Sequence, residues 1–313
     1  MPLVRIRLFG RLQVLSREGV PLLFPTRKAE LLFAFLVLHR GRAYPREVLA
    51  GLLWGDRTED AARKALRTAL WRVRSVLEPD GVPRGTFLLV EGPTVRFPAE
   101  APAWVDVQEF QLRTAFLRGA TGELGDEEVQ GLQEALALYR GDLLDGIYDD
   151  WCLMERERLR LSLLRAREEL MLQYERDGEW EAAVGEGREI LRTDPLREHI
   201  HRDLMRCLVG LGDRPSALRQ YQSCRTLLGQ ELEVEPMPET EALYREILSG
   251  GEFLSRLGLP AALVSGDTDG MIHKVEDVLE ELYAVASRLE RARLTLRGAG
   301  TRPRRSRGRV TPG

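Results

Sequence analysis

The sequence predicts a multidomain chain: a small α+β domain, then an all-α helical repeat domain, then a C-terminal helix with a basic tail. Three observations carry this. Apolar residues alternate with period two near the N-terminus and follow a helical period afterwards. Several residues recur 34 positions on between residues 170 and 218. Charge also changes sign along the chain. Residues 1–98 hold 17 basic and 9 acidic side chains, residues 99–250 hold 18 and 32, and residues 251–313 hold 11 and 8. A formal net charge of −3 therefore conceals segments of +8, −14 and +3. Such asymmetry points to a polyanion partner for the first segment. The expected domains are residues 1–98, 99–250 and 251–313.

At 313 residues, 43% hydrophobic and 30% charged, the chain can fill about two cores of ordinary size. Its longest apolar run, residues 31–38, is far short of the roughly 18 residues of a membrane span. No apolar stretch behind basic residues marks a secretory signal. Cys152, Cys207 and Cys224 are too isolated for a disulfide framework or a zinc site. A cytoplasmic protein without membrane contact is expected.

Alternation at Val4, Ile6 and Leu8, at Leu12 and Val14, and at Leu22 and Phe24 predicts three short antiparallel strands separated by Gly10 and Gly19. A helix over residues 26–39 is apolar nearly all round at 31–38, so it should be buried. A second helix starts at Pro45, a residue suited to the first helical position, and stops at Trp54-Gly55.

The third helix, AARKALRTALWRVRSVL over residues 61–77, has two unlike faces. Ala62, Ala65, Leu66, Ala69, Leu70, Val73, Val76 and Leu77 share one arc. Arg63, Lys64, Arg67, Thr68, Trp71, Arg74 and Ser75 share the other, with no acid among them. A helix lying between two phosphate backbones needs such a face, and guanidinium groups can also take guanine O6 and N7 bidentately.

Residues 87–90 and 95–97 flank the turn Glu91-Gly92-Pro93-Thr94 and read as a hairpin. Leading strands, three helices and a closing hairpin describe an α+β winged helix-turn-helix domain. This order resembles the DNA-binding domain of the OmpR type. The pieces RIRLFGRLQVL, RKAELLFAFLVLHRGR, REVLAGLLWGD and LWRVRSVL are similar, in that order, to the regulators in which such a domain precedes a bacterial transcriptional activator domain. The antibiotic regulatory proteins of Streptomyces are the best-known members. The chain departs from the family at Gly92-Pro93-Thr94, where a Gly-Tyr pair is common.

After a Pro- and Ala-rich join at residues 98–102, helical patterns run almost to Gly250. Leu170 recurs as Leu204, Gly178 as Gly212, Ala183 as Ala217 and Val184 as Leu218. Glycine at the turn and alanine in the second helix, at this period, is the tetratricopeptide pattern. Less regular helices are expected at residues 107–118, 129–139 and 151–176. The blocks LYRGDLLDGIYDDWCLMERERLRL and ALRQYQSCRTLLGQELEVEPMPETEALYREIL resemble the opening and close of the bacterial transcriptional activator domain, with Glu233 where the family usually has Gly. The resemblance spans about residues 3–250.

Other features read as structure. His199 and His201 lie on different helix sides, with no carboxylate or cysteine completing a metal site. Asp149, Asp150, Glu155 and Glu157 flank Arg156, Arg158 and Arg160 and suggest an intrahelical ion-pair network. Cys207 and Cys224 suit buried helix positions. No Gly-rich phosphate loop is present, so no ATPase module, cofactor or enzyme activity is expected. An a/d stripe from Ile272 to Leu296 reads equally as a short coiled coil or a docked helix. Six arginines and no acid follow in residues 297–313.

The expectation is a sequence-specific DNA-binding transcription regulator. Arg63, Lys64, Arg67, Thr68, Trp71 and Arg74 would face the major groove. Thr94 and Arg96 on the wing, and Arg27 and Lys28 at a helix start, would meet phosphate. The resemblance implies activation from promoter direct repeats, protomers associating side by side on double-stranded DNA, and contact with RNA polymerase holoenzyme. Carried from OmpR-type proteins, that last contact falls on Gly55, Asp56 and Arg57. The alternative is a repeat scaffold that binds a peptide or protein, with an ancillary winged-helix domain.

Overall fold

The computed structural model describes residues 3–119 and 123–249. The stripe at 272–296 and the basic tail lie outside them. The described residues divide into two compact units, residues 3–6 with 13–104 and residues 7–12 with 105–249. The chain is mostly helical, with a few short strands. Among the described residues, no helix is long and apolar enough to cross a membrane.

The first unit opens with strands β1 (Val4–Arg7) and β2 (Gln13–Ser16). Helix α1 (Arg27–Leu38) follows, and its continuous apolar run buries every side chain from Leu31 to Val37. Strand β3 (Tyr44–Pro45) leads into α2 (Arg46–Trp54), and α3 (Glu59–Leu77) comes next. Both α1 and α2 pack on α3. The hairpin is β4 (Leu89–Glu91) with β5 (Thr94–Arg96), and β3 adds to it through the register Tyr44↔Val95 and Pro45↔Thr94. Phe33, Phe87 and Phe97 are fully buried, with adjacent rings 6.1 Å apart.

The third leading strand expected at Leu22 and Phe24 does not form. Pro21 and Pro25 remove two backbone donors there, Leu23 is 81% exposed, and one isolated bridge joins Leu15 to Pro21. Strand β6 (Ala103–Val105), inside the join, completes the sheet in the order β2-β1-β6. Arg40 fixes that join: its guanidinium donates to the carbonyls of Ala99, Ala101 and Ala103 and lies 5.7 Å from the centre of the Phe97 ring.

The second unit begins with α4 (Asp106–Thr114), extended by a 3-10 turn (Ala115–Arg118), and α5 (Asp126–Leu138). The Asp106 carboxylate accepts backbone N–H bonds from Leu8, Phe9 and Val107. Burial pushes this carboxyl up to about 6, against the pull of those donors. Helices α6 (Asp150–Asp177), α7 (Trp180–Thr193), α8 (Glu198–Gly210), α9 (Arg214–Glu231) and α10 (Pro238–Ser249) complete the unit.

The spacing of 34 has a structural meaning here. Gly178 between α6 and α7 has φ 74°, and Gly212 between α8 and α9 has φ 77°. A left-handed residue ends each first helix without the steric penalty a Cβ would bring. Leu170 and Leu204, and Ala183 and Ala217, are buried at equivalent places in the two pairs. Alanine is needed there because neighbouring helices approach closely in a stacked array.

Candidate nucleic-acid interface

Helix α3 starts two residues earlier than its apolar period indicates, with Glu59 and Asp60 in the first turn, where acids complement the helix dipole. Ala62, Leu66, Ala69, Leu70, Val73 and Leu77 are buried. Arg63, Lys64, Arg67, Thr68, Trp71 and Ser75 are all exposed on the opposite side, Trp71 to 66%. Among the described residues, Lys64 and Arg67 engage no carboxylate. Arg63 reaches back one turn to Glu59, an exposed pair of small energetic weight. The hydroxyls of Thr68 and Ser75 donate to carbonyls one turn earlier, at Lys64 and Trp71.

Arg74 is placed differently from its neighbours. Its Nε donates to Glu78 at 3.1 Å and its Nη2 to the Leu88 carbonyl at 3.0 Å, so its guanidinium is half-buried against the protein. Arg72, which the helical period left unassigned, donates from Nη1 to the Thr26 hydroxyl at 3.2 Å and ties α3 to the start of α1.

Sequence reasoning missed Glu78. Its side chain has no exposed surface, and its carboxylate accepts N–H bonds from Gly85, Phe87 (2.8 Å) and Leu88 (2.9 Å) besides the Arg74 bond. One signal was available. An acid at a helix C-terminus opposes the dipole, so its presence there calls for compensating donors.

On the hairpin, the Thr94 hydroxyl donates to the Glu91 carbonyl at 3.0 Å, and Arg96 lies 3.6 Å from the Glu91 carboxylate. The tip is held from the α2 side, where the Arg46 N–H donates to the Pro93 carbonyl at 2.9 Å. At the start of α1, Lys28 is exposed and Arg27 pairs with Glu30 at 3.1 Å. Gly55, Asp56 and Arg57 form an exposed turn between α2 and α3, beside the buried Trp54.

In the second unit, His201 Nε2 donates to the Pro195 carbonyl while Nδ1 accepts from the Gln220 amide. Burial holds this imidazole below its usual range. His199 lies 3.1 Å from Glu168. Arg158 and Arg160 pair with Glu155 and Glu157 as the sequence suggests. Arg156 departs from the expected network: it donates instead to the carbonyls of Leu143, Leu144 and Ile147. Those carbonyls belong to an irregular segment and need a buried donor more than Arg156 needs a carboxylate. Burial raises the Cys207 and Cys224 thiols to about 12.

Comparison with known proteins places residues 105–248 on the model of the bacterial transcriptional activator domain. The chain is 32% identical over 251 residues to the regulatory protein AfsR of Streptomyces coelicolor, which takes in 79% of this chain and 24% of that one. It therefore spans about a quarter of the length of that relative. It is 25% identical over 255 residues to the transcriptional regulatory protein MoaR1 of Mycobacterium tuberculosis, covering 78% and 79% of the two chains. A solved structure of Mycobacterium tuberculosis EmbR, in complex with a low-affinity phosphopeptide, shares the fold. The TM-score is 0.67 at 21% identity, over 91% of this chain and 72% of that one.

Proposed function

Because residues 105–248 make this chain a member of the family of regulators that carry a bacterial transcriptional activator domain, we propose that it is a sequence-specific DNA-binding transcription activator. In this reading, residues 1–98 form a winged helix-turn-helix domain and residues 99–250 the helical domain that follows it in the chain. The observation that carries the proposal is the outward face of α3. Lys64, Arg67, Thr68 and Trp71 are exposed on it in successive turns, and among the described residues the two cations engage no carboxylate.

Helix α3 enters the major groove with Lys64, Arg67 and Thr68 toward base edges. Trp71 packs its indole along the sugar-phosphate wall. Arg63 leaves Glu59 for a phosphate, since an exposed pair holds it only weakly. Thr94 and Arg96 on the hairpin, and Arg27 and Lys28 at the start of α1, take flanking phosphates. Arg74 is a brace in this arrangement, because its Nε and Nη2 are both bonded to the protein. The exposed turn Gly55-Asp56-Arg57 offers a contact to RNA polymerase. Two protomers would bind promoter direct repeats side by side.

The test is a salt titration of the full chain on a duplex selected from random sequence. Affinity is expected to fall with a log–log slope of roughly −0.9 per phosphate neutralised. Arg67→Ala should cost about 1–3 kcal/mol on the selected duplex and relax specificity at one position. An unchanged affinity and footprint in that variant would falsify the placement of α3 in the groove.

A further inference from the structure

We propose that Glu78 is a positioning residue that locks the β4–β5 hairpin to the C-terminal end of α3, making the two a single rigid reading head. The proposal rests on the DNA-binding reading above and concerns how its two contact elements are held together.

The geometry is specific. Glu78 caps α3, and the connection from there to β4 has no sheet pairing until Leu89. Two turns occupy it, closed by Val82 N–H to the Pro79 carbonyl and Thr86 N–H to the Pro83 carbonyl. Phe87 and Leu88 then sink their side chains into the core. Apolar burial fixes how deep these residues sit but is non-directional. It does not set the rotation or register with which the chain enters β4. The Glu78 carboxylate does, because it accepts from the N–H groups of Gly85, Phe87 and Leu88 together. Arg74 closes the arrangement. Its Nε holds Glu78 and its Nη2 holds the Leu88 carbonyl, so residue 88 is gripped at both its N–H and its C=O. Thr94 and Arg96 hang from this support, one hairpin strand away, through the pairs Leu89↔Arg96 and Glu91↔Thr94.

The carboxylate sits at the negative end of the α3 dipole with its side chain wholly buried. Only its donors compensate for that desolvation. Glu78→Gln keeps the shape but replaces one acceptor oxygen by a donor that faces backbone N–H groups. The hairpin should then loosen without disturbing Lys64, Arg67 or Thr68, which lie about three to four turns away on α3.

The experiment uses the full chain and the selected duplex, well below the melting temperature of each variant. For Glu78→Gln, hydrogen exchange of the free protein should show lost protection confined to residues 85–96. The salt slope should shrink by about one to two units, as the hairpin's phosphates are lost. Footprinting should lose the hairpin-side protections and keep those of α3. If Glu78→Gln does not fold, Arg74→Lys carries the same test. A lysine keeps a charge for any phosphate but cannot bridge Glu78 and Leu88, so the hairpin amides should still deprotect. Wild-type hairpin exchange and an unchanged slope in the folded variant overturn the proposal. DNA binding that is insensitive to Arg67→Ala overturns the α3 assignment instead, and the exchange data then judge the lock by themselves.

Discussion

Glu233 follows the end of α9 with φ 57°, where a side chain costs about 1–2 kcal/mol and glycine costs nothing. The side chain is exposed and, among the described residues, makes no hydrogen bond or ion pair that would offset the strain. Glu233→Gly is therefore expected to stabilise the chain by about 0.5–1 kcal/mol, part of the gain being lost to the freer unfolded state. Thermal unfolding of the two proteins side by side checks this, and a lower melting temperature for the variant would refute it. Leu144 has a similar φ of 51° but is wholly buried. There the roughly 2–3 kcal/mol of buried leucine outweighs the strain, so the same substitution would destabilise. At His201 the hydrogen bonds require the neutral ring, which donates at Nε2 and accepts at Nδ1. Its pKa is depressed in the folded state, so its contribution is full above the ordinary value of 6.5 and is lost as pH falls below it. Melting temperature from pH 7.5 to 5 should fall more steeply for the wild type than for His201→Gln. Parallel curves would remove His201 from the acid limb.

Among the elements, α9 shows how a helix start is specified. Asp213 accepts from the Ser216 N–H at 3.1 Å and Pro215 occupies the first turn, so Asp213→Ala should cost about 1 kcal/mol in chemical denaturation. A loss under a few tenths would mean that packing alone starts the helix. Periodicity revealed α1, α2, α3, the hairpin, α4, α5 and α6 to within a few residues, and marked the later repeat helices only by their spacing of 34. It missed β6, whose Ala103-Trp104-Val105 is too short to alternate visibly and becomes a strand only by pairing with β1. The exposed half of the candidate site was legible for the same reason that helices are: one rotation angle sorts Lys64 and Arg67 from Leu66 and Leu70. What a side chain bonds after it leaves the helix is not periodic. Arg74 falls in the basic arc by angle, yet it turns to Glu78 and to Leu88, whose place beside it depends on a ten-residue connection. Asp106 and Arg156 were hidden likewise, since each serves backbone groups of irregular segments.

Over the whole molecule, 17 basic side chains in residues 1–98 are set against 32 acidic ones in residues 99–250. In the proposed complex with DNA, the screening length at physiological ionic strength is about 8 Å, so charges farther away than that act weakly and local contacts govern the salt slope. Near 10 mM it lengthens to about 30 Å, and repulsion from the acidic segment should bend the log–log plot away from a straight line. The two glycine turns carry a different implication. Each ends a first helix in the same backbone state and opens a second helix around the same buried alanine. The stretch from one turn to the next is thus an interchangeable module whose two ends match. Copying it in tandem would join like to like at both seams, so the array can lengthen by gene duplication without inventing a new junction.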